Sequence, residues 1–486
     1  MKKVVLWFLI LALLVGAGLS LCACGGSKEP EPSTDSSQSG DTEESEDDRL
    51  DVPDKQFNTT FIILGTAEWD AGPDDTDIVA RAQYLRNSYI EKRFGVTLVQ
   101  ENLEFPLIPN AVADAAKAGD ASVYDLVVSQ ICPTASNLVL NRNCVDWYDL
   151  PYVNLDNPWW PATNREDLTM KDQCYMVLGD FALSSIGHTY CLYFNKMLAE
   201  KYELGDLYQL TKDGGFTYDA LLTMVKDVWE DTDQSGSRNS KDTYGMQYGM
   251  LSDRCVSNAA LVFGFDIPIF QKDPETGVQV LSLYDGKSIA IMEKVLNFYY
   301  KTTGVRHLTN PSTSEFVNGL GIFTNGILDS MIQDFRDLDD LGLLPMPKWN
   351  AEQIDYYSAI GLVASVLLIP DLHGNEAKME KVGAVMEMMS YLSYRDVRPV
   401  YYKKVLNGKD SDTSPEAEMI DLIVGARHAD FSYYMEFDSP AFTLSQMITN
   451  HNPQFLYAWA LNKMRYKTKL EQVFAAFGLE FNQPLD

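Results

Sequence analysis

Across 486 residues the chain carries 69 Asp and Glu against 39 Lys and Arg, a formal net charge of −30. A phosphate backbone is held by clustered Lys and Arg, so this acidic balance argues against a nucleic-acid partner. The composition is 46% apolar and 12% aromatic, and the roughly 430 residues beyond the N-terminal segment are enough for two hydrophobic cores rather than one.

Met1, Lys2 and Lys3 precede an apolar run from Val4 to Leu21, which ends in Leu21-Cys22-Ala23-Cys24-Gly25-Gly26. A short basic start, an apolar stretch and small residues before a cysteine form a lipoprotein signal peptide over residues 1–23. Ala23 supplies the small residue needed before the modified cysteine, and Leu21 before Cys22 does not, so Cys24 is the expected lipidated residue. The expected location is extracytoplasmic, lipid-anchored to the cell membrane. An uncleaved anchor is the competing reading, because the apolar run is borderline in length for a span. Residues 24–55 are Ser, Glu, Asp, Pro and Gly with almost nothing to bury, which predicts a disordered acidic tether.

Phe57 to Gly65 is an apolar, β-branched run closed by glycine. A loop containing Trp69 and Asp70 and then a helical pattern lead from it to a second apolar run, VTLV, at 96–99. LIPNAVADAAKAG predicts a further helix and Tyr124 to Gln130 a further strand. Continuous apolar strands separated by helices predict a parallel sheet covered on both faces. In such sheets ligands bind beyond the carboxyl ends of the strands, where Trp69, Asp70, Ser129 and Gln130 fall. An indole face beside a carboxylate suits the C–H face and hydroxyl edge of a sugar; packing and helix capping are the alternative roles.

Residues 191–204 turn from strand to helix, and 216–230 form an amphipathic helix with Thr217 as its cap. A helix is expected over 287–303, a strand, turn and helix start over 320–333, a short strand over 341–350, and a strand over 356–370. Trp159 and Trp160, between Pro158 and Pro161, are an alternative aromatic pair for a ligand, or a cover for the sheet. Five cysteines lie beyond Cys24, namely Cys132, Cys144, Cys174, Cys191 and Cys255, without metal spacing. Buried thiols are expected, a Cys132–Cys144 bridge being the alternative.

From Asp231 to Asp242, oxygen-bearing residues recur at loop positions 1, 3, 5, 7, 9 and 12 with Gly236 at 6, the spacing of an EF-hand loop. Asp231, Asp233, Ser235, Ser237 and Asp242 are the candidate ligands of a structural Ca2+. A helix precedes the loop in this reading and a strand follows it. Asp242 is shorter than the usual bidentate Glu and Arg238 lies close by, so an acidic surface turn stays open beside calcium. No cofactor is required otherwise.

Several stretches taken together resemble the extracellular solute-binding proteins of family 1, the lipoprotein receptors of ABC importers. YDLVV, CLYFNKMLAEKYEL followed by FTYDALLTMVKDV, GIFTNGILDSM, DLGLLPMPKWNAEQIDYYS, EKVGAVMEMMSYLS and KTKLEQVFAAFG occur in that family's order. The resemblance implies an α/β, two-lobed periplasmic-binding-protein-like fold of type II, each lobe a sheet flanked by helices. Residues 56–188 with 356–408 would make the N-terminal lobe, and 189–355 with 409–486 the C-terminal lobe. Crossings are expected near 181–189, 355–361 and 407–410. The implied function is capture of a solute, a sugar or oligosaccharide foremost, in an interlobe cleft and delivery to permease subunits, by a monomer. Position then nominates Trp69, Asp70 and Gln130 from the first lobe, His188, Tyr190 and Tyr357 from the crossings, and Asn325 and Trp459 from the second lobe. An oligopeptide receptor is the alternative, and a secreted glycan-degrading enzyme a more distant one. Without GxSxG or HExxH there is no motif for hydrolysis, so no enzyme is expected.

Overall fold

The computed structural model describes residues 50–66, 71–120, 123–249, 259–267, 269–282, 286–308, 313–371, 373–406, 414–435, 440–452 and 454–483. Asp51–Asp486 forms one compact unit, separate from Met1–Leu50, and the description below concerns that unit. The signal segment, Cys24 and nearly all of the tether lie outside the described residues. Among the described residues no helix is long and apolar enough to cross a membrane.

Three strands start the first sheet: β1 (Thr59–Gly65), β2 (Val96–Asn102) and β3 (Leu126–Gln130). β1 runs parallel to both, with Thr59 opposite Val96 and Ile63 opposite Leu126. The helix Ile78–Phe94 returns the chain from β1 to β2. Asp77 opens it by accepting the Val79 and Ala80 N–H groups, and Gly95 closes it at φ 59°, a left-handed position that glycine reaches without a Cβ clash. The interior strands carry the continuous apolar runs, and Phe61, Ile63, Leu126, Val127 and Val128 are fully buried.

The second sheet follows from β4 (Tyr190–Asn195), β5 (Trp229–Glu230) and β6 (Thr243–Gly249). A separate hairpin, β7 (Phe270–Lys272) with β8 (Gln279–Leu281), precedes β9 (Val305–Leu308), β10 (Gly321–Ile327) and β11 (Leu341–Leu344). Its order is β11-β4-β10-β6-β5, with β9 also beside β6. The chain then forms β12 (Ser358–Ala359) and returns to the first sheet as β13 (Ser365–Leu368), antiparallel to β3 with Ser365 opposite Gln130. β14 (Arg427–His428) pairs in parallel with β12. Two sheets built in this order, each flanked by helices, make a two-lobed α/β fold.

The two described crossings lie side by side. Thr189 and Ile360 form an antiparallel bridge, and the Gly361 N–H donates to the His188 carbonyl at 2.9 Å. Residues 407–410, the expected third crossing, lie outside the described residues.

Two elements differ from the periodicity-based expectation. The amphipathic helix, capped by Thr217 as expected, covers only Tyr218–Val225. It stops because Trp229 and Glu230 pair as a strand with Tyr244 and Thr243, and backbone pairing outweighs the helical pattern that continues in the side chains. The acidic loop therefore joins two strands of a hairpin, and the helix expected immediately before it is replaced by β5. The apolar stretch 356–370 divides into β12 and β13 around a turn closed by the Ala364 N–H on the Gly361 carbonyl.

Asp125, just before β3, ties the first lobe together. Its carboxylate accepts the Ile62 N–H at 2.8 Å and pairs with Lys381 at 2.8 Å and Lys378 at 3.3 Å, both on the helix Glu376–Leu392. The two ammonium groups also cap the Tyr124 and Thr60 carbonyls, each at 2.8 Å. A buried carboxylate without such partners would cost several kcal/mol, about 3–5; with them it fixes the helix against β1 and β3.

Cys144, Cys174 and Cys191 are free thiols, so the alternative Cys132–Cys144 bridge is not formed. Burial pushes Cys174 and Cys191 up to about 12, which leaves them as inert packing groups. The Cys132 side chain and Cys255 lie outside the described residues.

Candidate functional site

A cavity of about 570 Å³ opens between the loop 156–166, the second crossing at Asp355–Tyr357, Arg398, and the end of the helix Pro415–Gly425 with β14. The loop belongs with the first sheet: Trp160 lies over Gly179 beside Leu367 of β13. The helix belongs with the second, since it packs on β11. The cavity is thus interlobe, and its size falls within the range of small-molecule sites, roughly 300–1,000 Å³.

Its walls combine aromatic faces with fixed donors. The Tyr357 and His428 rings stand 5.1 Å apart, and Trp160 closes the first-lobe side. His428 Nδ1 sits 3.0 Å from Asp167. Burial alone lowers the imidazole pKa, but Asp167, with Asp430 and Asp266 beyond it, raises it to about 9. At neutral pH the ring is therefore a cation with two N–H donors. Arg398 and Arg427 converge on one buried carboxylate, Asp180, at 3.2 and 3.4 Å. Arg427 is buried and engaged by that carboxylate, the Val424 carbonyl and Ser185, whereas Arg398, held by Asp180 and the Tyr402 hydroxyl, lines the cavity already oriented, without further ordering cost. Aromatic faces beside oriented N–H donors can hold a polyol, with the rings against C–H groups and the donors against hydroxyl oxygens.

The loop bearing Trp159 and Trp160 is fastened from below. Both indole N–H groups donate to Glu387 on the helix Glu376–Leu392, at 3.1 and 2.8 Å, and Asn157 Nδ2 adds a third donor at 2.6 Å. Burial raises the Glu387 pKa, opposed by these same hydrogen bonds. Trp159 meets Tyr391 edge to face at 5.1 Å. Of the pair, Trp160 alone lines the cavity.

The nominated residues fall into distinct places. Tyr357 is in the cavity wall. Gln130, half-buried, ends β3 opposite Ser365. His188 lies at the crossing, with Nε2 3.9 Å from Asp329 and Nδ1 buried without a hydrogen-bond partner. Tyr190 and Asn325 are wholly buried inside the second sheet, on β4 and β10. Trp459 is buried on the helix Phe455–Ala476, where it stacks on Tyr466 at 5.5 Å. Trp69 and Asp70 lie outside the described residues. Of the described ones, Tyr357 alone lines the cavity. Asp167, Asp180, Glu387, Arg398, Arg427 and His428 were missed by sequence reasoning. Glu387 alone left a signal, as a lone carboxylate between Met386 and Met388.

In the acidic loop, carboxylate oxygens of Asp231, Asp233 and Asp242 all lie within 4.8 Å of one another. The Ser235 and Gly236 N–H groups fold back onto Asp231 at 3.0 and 2.7 Å, which gives the loop its tight turn. Hydrogen bonds from Trp229 to Asp242 and from Ser235 to Asp233 hold both carboxyls below the usual carboxylate range. Such a cluster has the hard oxygen donors that suit Ca2+.

No family model matches the sequence, and no curated protein matches it. Solved structures do match. A cyclo/maltodextrin-binding protein complexed with maltotetraose is 13% identical over 84% of this chain and 97% of its own, with a TM-score of 0.56. The extracellular solute-binding protein from Staphylococcus aureus in complex with maltose is 13% identical over 86% and 99%, with a TM-score of 0.56. The cyclic α-maltosyl-1,6-maltose binding protein from Arthrobacter globiformis is 10% identical over 85% and 98%, with a TM-score of 0.55. At such identities the likeness establishes the fold, which is the two-lobed α/β architecture of the solute-binding proteins.

Proposed function

We propose that this chain is the substrate-binding lipoprotein of an ABC importer, anchored through Cys24 outside the membrane, which captures a sugar or oligosaccharide between its lobes and delivers it to a permease. The observation that carries the reading is the interlobe cavity, where the half-exposed Tyr357 and His428 rings stand beside Arg398, over a floor that the buried Trp160 completes. Two of the proteins that share this fold hold maltotetraose and maltose, which supports a carbohydrate over a peptide. Ligand contacts completed only when the lobes close shift a pre-existing open–closed equilibrium. This is binding, and no bond is made or broken. The anchor and the acidic tether confine the closed receptor near the permease and raise its effective concentration there.

The test is a thermal-shift screen of the purified full chain against monosaccharides, malto-oligosaccharides and peptides, with chromatography of each stabilising compound after incubation. Saturable stabilisation by a carbohydrate that is recovered intact is expected. Stabilisation by peptides alone, or conversion of the sugar to a product, overturns the reading.

A further inference from the structure

The hairpin of β5 and β6 lies away from the interlobe cavity and carries chemistry that solute capture does not use. Around its loop the oxygens converge on one point. The Asn239 amide nitrogen lies 3.2 Å from Asp233 Oδ1, 3.0 Å from Ser235 Oγ and 2.9 Å from the Ser237 carbonyl oxygen. One donor nitrogen thus collects oxygens from loop positions 3, 5 and 7, as a cation would.

Arg238 does not fill that point. Its guanidinium reaches away to the Thr303 and Val305 carbonyls, the latter at 3.0 Å. Lys241, on the outer side, is 3.8 Å from Asp233 and largely exposed, and a surface pair of that kind contributes little.

An independent observation comes from Asp242. Its side chain is fully buried. Oδ2 accepts the Trp229 indole N–H at 3.0 Å and the Asn239 backbone N–H at 2.9 Å, whereas Oδ1 is buried with no hydrogen-bond partner. A buried, ionised oxygen with no donor is costly, and this one belongs to the same carboxylate cluster as Asp231 and Asp233. Asn239 and Lys241 therefore account for the outer oxygens of the loop but leave the inner one uncompensated.

We propose that the loop Asp231–Asp242 binds a calcium ion through Asp231, Asp233, Ser235, the Ser237 carbonyl and Asp242, with the Asn239 amide displaced from the centre. Three carboxylates more than offset the ion's double charge, and a twelve-residue loop of flexible oxygen donors fits calcium's variable coordination better than the strict octahedron of magnesium. The ion clamps β5 to β6 at the edge of the second sheet. It has no part in holding the solute, so the site stands whether or not the receptor binds sugar.

Trp229 supplies the assay, because its indole is hydrogen-bonded to a proposed ligand. Terbium titrated into the purified full chain gives luminescence sensitised through tryptophan, and excess calcium quenches it by displacement while equal magnesium does not. With an affinity in the range of extracellular calcium modules, Kd about 10⁻⁴ M, and calcium at about 100 times Kd, the folding equilibrium shifts about 100-fold and the thermal midpoint rises by about 3 °C. A chelator reverses the rise. Asp233→Asn, at an exposed position that spares folding, weakens binding about tenfold or more, and Asn239→Asp strengthens it by adding a fourth carboxylate. Trp229→Phe loses the sensitised emission and keeps the calcium-dependent midpoint. Absence of both signals in the unaltered chain overturns the proposal. So does an unchanged calcium response in Asp233→Asn, or displacement of terbium by magnesium as readily as by calcium.

Discussion

Replacing Glu387 by alanine tests how the first-lobe wall of the cavity is held. In the folded chain its carboxylate receives the Trp159 and Trp160 indoles and the Asn157 amide within 3.1 Å. A hydrogen bond to a charged acceptor contributes about 1.5–3 kcal/mol, so three of them amount to roughly 6. Burial of the carboxylate, visible in its raised pKa, takes part of that back. After truncation two buried indole N–H groups face no acceptor, and the net loss is about 3–4 kcal/mol. Glu387→Gln keeps one carbonyl oxygen but turns an NH2 toward the second indole, and loses about 1–2 kcal/mol. Urea unfolding followed by tryptophan fluorescence and far-UV circular dichroism measures both. The reasoning fails if the alanine variant loses less than about 1 kcal/mol, or if the glutamine variant is the less stable of the two.

His428 gives a pH dependence. Its folded pKa of about 9 lies above the ordinary 6.5. The ion pair with Asp167 is therefore fully present below about pH 6.5 and is lost as pH rises through about 9, an interval equivalent to about 3 kcal/mol. The stability difference between wild type and His428→Gln shrinks across that window, and a constant difference refutes the assignment. Gly383→Ala is destabilising by about 2 kcal/mol although alanine favours helices, because the added Cβ would lie 1.9 Å from the Pro151 carbonyl oxygen; a rise in unfolding midpoint contradicts this. Tyr357→Ala lowers affinity for the stabilising sugar about tenfold with unchanged unfolding, by loss of one ring contact; unchanged affinity removes Tyr357 from the binding wall.

Local signals carried well from sequence to structure, and long-range ones did not. β1, β3 and the Thr217 cap follow from apolar runs and capping chemistry within a few residues. The shortened helix at Val225 does not, because its amphipathic pattern continues and only pairing with Thr243 and Tyr244 ends it. The cavity residues were illegible for the same reason: Arg427 meets Asp180 across 247 positions, and Ala429 meets Asp167 across 262. Tyr190 and Asn325 stand in strands buried on both faces, where no alternation marks a side toward solvent. Trp459 reads as a ligand platform in isolation, but its partner Tyr466 lies one pair of helical turns further along, on the same face.

The paired crossings constrain how such a molecule can move. Thr189 and Ile360 are joined by a bridge, the Gly361 N–H is held by His188, and the Thr189 carbonyl also accepts the Leu328 N–H. Two connectors fastened edge to edge cannot slide past each other without breaking those bonds, so they flex as a single leaf. At these two connectors rotation about their shared line is the soft motion and sliding the stiff one, as in a door hung on one hinge line.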